Sequence, residues 1–116
     1  MKINLGSGNR CYADFVNCDL YNTSGCNVVC DIRKLPFLSN SVQGILCEHV
    51  LEHLPRHTVS EVLQECYRVL QPSGILKIEV PDLEWVLQDW LNAPEDQRWG
   101  HRIERIYGLQ CHEGEF

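Results

Sequence analysis

No apolar run in the chain approaches the roughly 20 residues that a membrane-crossing helix needs. No membrane span is therefore expected. A charged leader with a long apolar stretch behind it is also missing from the start, Met1-Lys2-Ile3-Asn4-Leu5, so no secretory signal is expected. Positive charge is in short supply: 10 Lys and Arg stand against 16 Asp and Glu, a net charge of −6. Sequence-independent nucleic-acid binding relies on a surplus of cations that displace counterions, and this composition excludes it as a primary role. The seven cysteines, at 11, 18, 26, 30, 47, 66 and 111, contain no CxxC pair. The first four are spaced C-x6-C-x7-C-x3-C, unlike the tight pairs of zinc frameworks. An odd count without a leader points to reduced thiols in a cytoplasmic setting, most of them filling small apolar spaces. No Gly-x-Ser-x-Gly elbow and no P-loop lysine occur.

What is present is an ordinary globular composition, 44% hydrophobic and 22% charged in 116 residues. That length predicts a single domain over residues 1–116 with a real core. Short strands are expected over residues 1–6, stopping at Gly6, and at Phe15–Leu20, Asn27–Asp31, Val42–Cys47 and Ile75–Val80. The clearest helix spans 58–70. Thr58 and Glu61 form a candidate capping box, and Val59, Val62, Leu63, Cys66 and Leu70 recur at helical spacing. A second helix follows Asp82, with Leu83, Val86, Leu87, Trp90 and Leu91 on one face. A third is expected over 95–107. Trp85, Trp90 and Trp99 read as core or as a covering helix face.

Strands alternating with helices predict a layered α/β fold. One feature strains that expectation. Parallel neighbours usually need a crossover of a dozen or more residues. Only about nine residues separate the first two strands, and about six the next two. Either those loops are compressed or one strand is misread.

The candidate site residues fall at strand ends. Gly6-Ser7-Gly8 follows the first strand, where glycine lets backbone approach a ligand. The third glycine of the dinucleotide fingerprint is absent, because position 11 is Cys, so a dinucleotide is disfavoured. Asp19 ends the second strand and can accept from both hydroxyls of a ribose. Asp31 ends the third and can accept from the exocyclic amine of adenine. Ligands of open α/β sheets bind along that edge. The string from His49 to His53 also spells H-x-x-E-H, a zinc-peptidase motif if both histidines share a helix. A strand-to-helix connection is the blander alternative, since the motif begins where a strand ends. No metal is expected.

Several stretches together are similar to a known family. They are Ile3 to Arg10, Asn17 to Leu20, Cys30 to Phe37, Ser41 to Leu54 and Glu65 to Leu76. In this order they resemble class I methyltransferases that use S-adenosylmethionine. The resemblance implies a Rossmann-like, mostly parallel sheet of about five strands with flanking helices, lacking the last two strands of the family fold. It also implies a cofactor site of Gly6, Ser7, Gly8, Asp19, Leu20, Asp31, Ile32, Cys47, Glu48 and His49. Gly6 to Gly8 would pass near the amino-acid part of the cofactor, and Cys47, Glu48 and His49 would lie near its methyl group. S-adenosylhomocysteine would be the product and a small molecule the acceptor. Self-association through an exposed sheet edge is a further expectation, as is a non-catalytic binding module that assembles with another chain. Three departures from the family pattern stand out: Asn4 replaces an acidic residue, the first helix is missing or reduced, and the chain stops after the fifth strand and its helices.

Overall fold

The computed structural model describes residues 1–99 and Arg102. Five strands form one sheet: β1 (Lys2–Leu5), β2 (Val16–Asp19), β3 (Val28–Val29), β4 (Val42–Glu48) and β5 (Leu70–Glu79). Their spatial order is β3-β2-β1-β4-β5, and every pairing is parallel. This is a Rossmann-like α/β arrangement. The order reverses at β1, which has β2 on one side and β4 on the other.

Period-two alternation decides which face each side chain takes. Ile3 and Leu5 of β1 stand in register with Ile45 and Cys47 of β4, and Leu5 also with Cys18 of β2. All five are buried, in one core cluster with Val62, Cys66 and Val69. Those three residues belong to helix α1 (Arg56–Val69), where their spacing places them on one stripe. The helix starts two residues earlier than expected. Pro55 is its N-cap residue, and Thr58, already inside the first turn, is buried and caps nothing. Proline suits a helix start because its missing N–H would have no partner there. That removes the capping box proposed for Thr58 and Glu61.

On its outer side α1 also anchors the chain that leads into β4. Glu65 accepts from the Leu35 N–H at 2.9 Å. Arg68 pairs with Glu65 and donates to the carbonyls of Phe37 and Leu35, at 2.9 and 3.1 Å. Beyond α1, β5 resumes pairing at once, with Leu70 opposite Val42. The chain then loops out before Ile75 meets Gly44. Gly74 is needed in that excursion, because a Cβ there would lie 2.8 Å from Leu70 and 2.9 Å from the Gln71 carbonyl.

The short connections resolve in favour of compressed loops. All of the first three strands exist, and no helix lies among residues 6–15 or 20–27. The third strand shrinks to two residues. Three asparagines take over the role of helical backbone in satisfying polar groups. Asn4 donates from its amide to the Arg10 carbonyl at 2.7 Å and to Asn17 Oδ1 at 3.0 Å. Asn17 Oδ1 also accepts from Tyr12 N–H at 3.0 Å, while its amide donates to the Tyr12 carbonyl at 3.0 Å. Asn27 Oδ1 accepts from the Asn17 N–H at 2.8 Å. Asn4 and Asn17 are nearly fully buried, so these bonds replace lost water.

Helix α2 (Leu83–Asn92) begins as expected at Asp82, whose carboxylate accepts from the Trp85 N–H. Only Val86 of its apolar face is buried; Leu83, Leu87 and Leu91 are exposed. The tryptophan expectation is overturned for two of three residues: Trp85 and Trp99 are 56% and 68% exposed. Trp90 meets Trp99 edge-on at 6.2 Å. Of the helix expected over 95–107, Glu95–Gln97 is a 3-10 turn after Pro94. Most of its remaining positions, with Cys111, lie outside the described residues. Among the described residues, no helix is long and apolar enough to cross a membrane.

Candidate functional site

A cavity of about 430 Å³ opens at the C-terminal ends of the strands, where the strand order reverses. Six of the anticipated residues line it: Gly6, Asp19, Leu20, Asp31, Ile32 and His49. Ser7, Gly8, Cys47 and Glu48 do not.

The glycine turn explains part of that division. Gly6 and Gly8 both have positive φ, 63° and 47°, which glycine adopts without steric cost. Gly6 is pressed against the turn after β4: a Cβ on it would fall within 2.4 Å of Val50 Cγ2. Gly8 has nothing within 4 Å of such a Cβ. Ser7 between them is buried. Its N–H donates to the Cys18 carbonyl, and its hydroxyl is buried without a partner among the described residues.

Asp19 leaves β2 nearly buried. Its Oδ2 accepts from the Gly8 N–H at 2.8 Å and its Oδ1 from the Tyr21 N–H at 3.0 Å. A carboxylate has about four acceptor positions. Asp19 therefore keeps one on each oxygen, beside a cavity. That is a match for two neighbouring hydroxyls.

Asp31 is held differently. The Arg33 backbone N–H donates to Oδ1 at 2.9 Å, and the Arg33 Nε lies 3.0 and 2.9 Å from the two oxygens. The terminal guanidinium nitrogen donates to Oδ2 at 2.6 Å. The three N–H groups thus make four contacts, two on each oxygen, so both carboxylate oxygens are engaged. The Arg33 guanidinium holds the Asp31 carboxyl below the usual carboxylate range, against a smaller opposing push from burial.

The end of β4 corrects the expectation for Cys47 and Glu48. Cys47 points into the core, where burial pushes its thiol up to about 12. Glu48 follows on the opposite face. It accepts from the Tyr12 hydroxyl at 2.8 Å and lies 4.0 Å from Lys77 Nζ. Neither faces the cavity, because alternation sends one inward and the other across the sheet. Only the residue that leaves the strand turns toward the cavity. His49 does so with φ of 54°, unusual for a residue with a side chain. Its Nε2 lies 3.1 Å from Glu79 Oε1 and its Nδ1 3.3 Å from Glu52 Oε1. Because Leu51–His53 is a 3-10 turn, His49 and His53 do not sit on one α-helix. Among the described residues no group of three or more His, Cys, Asp or Glu is placed to hold a metal ion.

Asn4, where the family pattern has an acid, is spent on the asparagine network rather than on the cavity. Other lining residues were not anticipated: Tyr21, Arg33, Val50, His53, Leu54, Pro55 and Thr58. Arg33 carried a readable signal, an opposite charge two residues after Asp31. The others belong to turns that carry no separate motif.

The cavity thus lies at a strand-order reversal of an all-parallel α/β sheet, with Asp19 at the end of β2 and Asp31 just beyond β3. The profile of the methyltransferase domain matches residues 9–78, more than half of the chain, and the chain belongs to that family of class I methyltransferases. The match takes in Asp19, Asp31 and His49, and it starts just past the glycine turn. No curated protein matches the chain.

Proposed function

We propose that the chain binds S-adenosylmethionine in this cavity and passes its methyl group to a small-molecule acceptor, releasing S-adenosylhomocysteine. The observation that supports this most is the accounting at Asp19: a nearly buried carboxylate, fixed by two backbone N–H groups, with one acceptor position left on each oxygen. Asp19 would hold the two ribose hydroxyls. Asp31 and Ile32 would face the adenine, with Leu20 packed beside the base. Gly6 and the turn after it would carry the amino-acid end. When bound, the cofactor supplies an already activated sulfonium methyl. The chain's own residues then have to align the acceptor and exclude water. His49 lies on the cavity wall, where it can contact the acceptor side. A net charge of −6 favours a small molecule over a nucleic acid as acceptor. Free thiols at Cys11, Cys18, Cys26, Cys30, Cys47 and Cys66 fit a reducing cytoplasm.

A second reading keeps the binding and drops the transfer. Ile75, Ile78 and Val80 in and just after β5, and Leu83, Leu87 and Leu91 of α2, are exposed apolar residues. A strand edge with such neighbours suits assembly with another chain or a second copy. The test is titration with S-adenosylhomocysteine, followed by transfer of labelled methyl from the cofactor to a small-molecule acceptor panel. Binding with transfer supports the first reading. Binding without transfer to any acceptor supports the second, and absence of binding removes both.

A further inference from the structure

β5 has β4 on one side, and among the described residues no strand lies on its other side. The usable stretch of that edge is short. Pro72 and the excursion around Gly74 interrupt it at one end, and Pro81 follows at the other. Between them run Ile75-Leu76-Lys77-Ile78-Glu79-Val80, of which Ile75, Ile78 and Val80 are exposed apolar residues. The pairing with β4 sets the direction of the backbone groups. The His49 N–H donates to the Glu79 carbonyl at 2.8 Å, so the backbone of Glu79 faces β4, and by alternation that of Lys77 does too. Leu76 and Ile78 therefore turn their N–H and C=O groups outward, to the open edge.

We propose that the chain forms a twofold dimer in which β5 pairs antiparallel with β5 of a second copy, centred on Ile78. In that register Ile78 faces its own copy and exchanges both backbone hydrogen bonds with it, which its outward groups allow. Lys77 then lies opposite Glu79 of the second copy, and Glu79 opposite Lys77, as non-hydrogen-bonded pairs, whose side chains approach most closely. Leu76 meets Val80. A lone lysine on an edge strand ordinarily blocks pairing, but here the symmetry brings it a carboxylate. Both side chains are accessible: Lys77 is 65% exposed and reaches Glu48 only at 4.0 Å, and Glu79 is 47% exposed. The edge carries one charge of each sign, so the net charge of −6 does not fall on it. Glu79 also lies 3.1 Å from His49 on the cavity wall, so the second copy places a lysine beside the carboxylate that holds His49. The dimer rests on the open β5 edge of the second reading above, names a second copy as its occupant, and requires no bound cofactor.

Sedimentation equilibrium of the full chain without ligand reads the dimer directly. A dissociation constant in the micromolar range is expected, as for a small interface. Lys77→Glu sets like charges against Glu79 at both symmetric positions, and Glu79→Lys does the same against Lys77. Each raises the dissociation constant by about tenfold or more. Mixing the two variants restores opposite charges at both positions, so they form a heterodimer. The double variant Lys77→Glu with Glu79→Lys pairs with itself again. Thermal melting of each variant checks that the fold is retained.

Amide hydrogen exchange of the wild-type chain gives a second readout that needs no variant. The Leu76 and Ile78 amides gain protection as the protein concentration rises. The Lys77 and Glu79 amides, which face β4, are protected at every concentration. A chain that stays monomeric to near-millimolar concentration overturns the proposal, whether residues 100–116 or another protein take the edge instead. A dimer that ignores the charge swaps, or that leaves the Ile78 amide unprotected, overturns it as well and moves the contact to another surface, such as the exposed leucines of α2. Titration with S-adenosylhomocysteine keeps the two levels apart: a dimer that binds no ligand removes the proposed function alone, and a monomer that binds it removes the dimer alone.

Discussion

Asn4 and Asn17 stand in register on neighbouring parallel strands, and the amide of the first donates to the side-chain oxygen of the second at 3.0 Å. This bond lies under the loop that replaces a crossover helix. A helix satisfies its own backbone. A ten-residue loop does not, so the carbonyls of Arg10 and Tyr12 and the N–H of Tyr12 find partners on the two asparagines. Because the Gly6–Gly8 turn opens that loop, the asparagine network supports the cavity wall from behind.

Asn17→Ala therefore leaves the half-buried Tyr12 N–H and a buried Asn4 N–H without these partners. The expected cost is about 2–4 kcal/mol, at about 1–3 kcal/mol for each orphaned group after partial relaxation. Denaturant unfolding measures it as a lowered midpoint with an unchanged slope. Asn9→Ala, at an exposed position of the same loop, should leave the midpoint where it is.

Much of this architecture was legible in the sequence, for a physical reason. Alternation in β1 and β4 and the stripe Val62, Cys66, Val69 follow from short-range geometry, and so does the Asp82 cap. The capping box failed because Thr58 and Glu61 match its spacing while Pro55, three residues earlier, sets the helix start. The family resemblance placed Cys47, Glu48 and His49 together near the methyl group. Residues adjacent in a strand do not share a face, and only His49 lies past the strand end. The asparagine network was invisible, since it joins residues 13 and 10 positions apart through side-chain amides.

The contact between Gly6 and Val50 gives a separable test. Gly6→Ala adds a methyl within 2.4 Å of Val50 Cγ2 at a positive φ. Strain of the left-handed backbone costs about 1–2 kcal/mol, and the overlap adds about 1–3 kcal/mol. In the double variant Gly6→Ala with Val50→Ala the second part should disappear and the first remain. A double-mutant cycle on unfolding midpoints reads that coupling. Gly8→Ala has open space around it, so it should show the backbone cost alone.

Glu65 predicts how stability responds to acid. Hydrogen bonding to Arg68 is the main cause that holds its carboxyl below the usual range, and the Leu35 N–H adds to it. A depressed folded pKa gives stability that is present above the unfolded value, about 4.3. That stability is lost as the pH falls through the folded value. Unfolding midpoints should fall below about pH 4.3 in the wild-type chain. Glu65→Gln should be less stable at neutral pH and respond less to acid. Equal slopes for both proteins would show that other carboxylates dominate.

Glu48 offers a contrast to the cavity residues. It pairs with Tyr12 on the far face of the sheet, and that hydrogen bond pushes the Tyr12 phenol up. Glu48→Gln should leave the affinity for S-adenosylhomocysteine within about twofold, a change of under about 0.5 kcal/mol. A phenol titration followed by absorbance should move down in the same variant. A large loss of affinity would place Glu48 at the cofactor after all.

The most direct test of the central claim is calorimetric titration of the chain and its Asp19→Asn variant with S-adenosylhomocysteine. Asparagine keeps the shape of Asp19 but turns one acceptor oxygen into a donor, which opposes a backbone N–H and a ribose hydroxyl at once. Saturable one-site binding by the wild-type chain is expected, weakened about 10- to 100-fold in the variant, in line with the loss of charge-assisted hydrogen bonds. Wild-type binding that Asp19→Asn leaves unchanged would contradict the assignment of this cavity to the ribose, and a folded wild-type chain that binds nothing would contradict the cofactor site altogether.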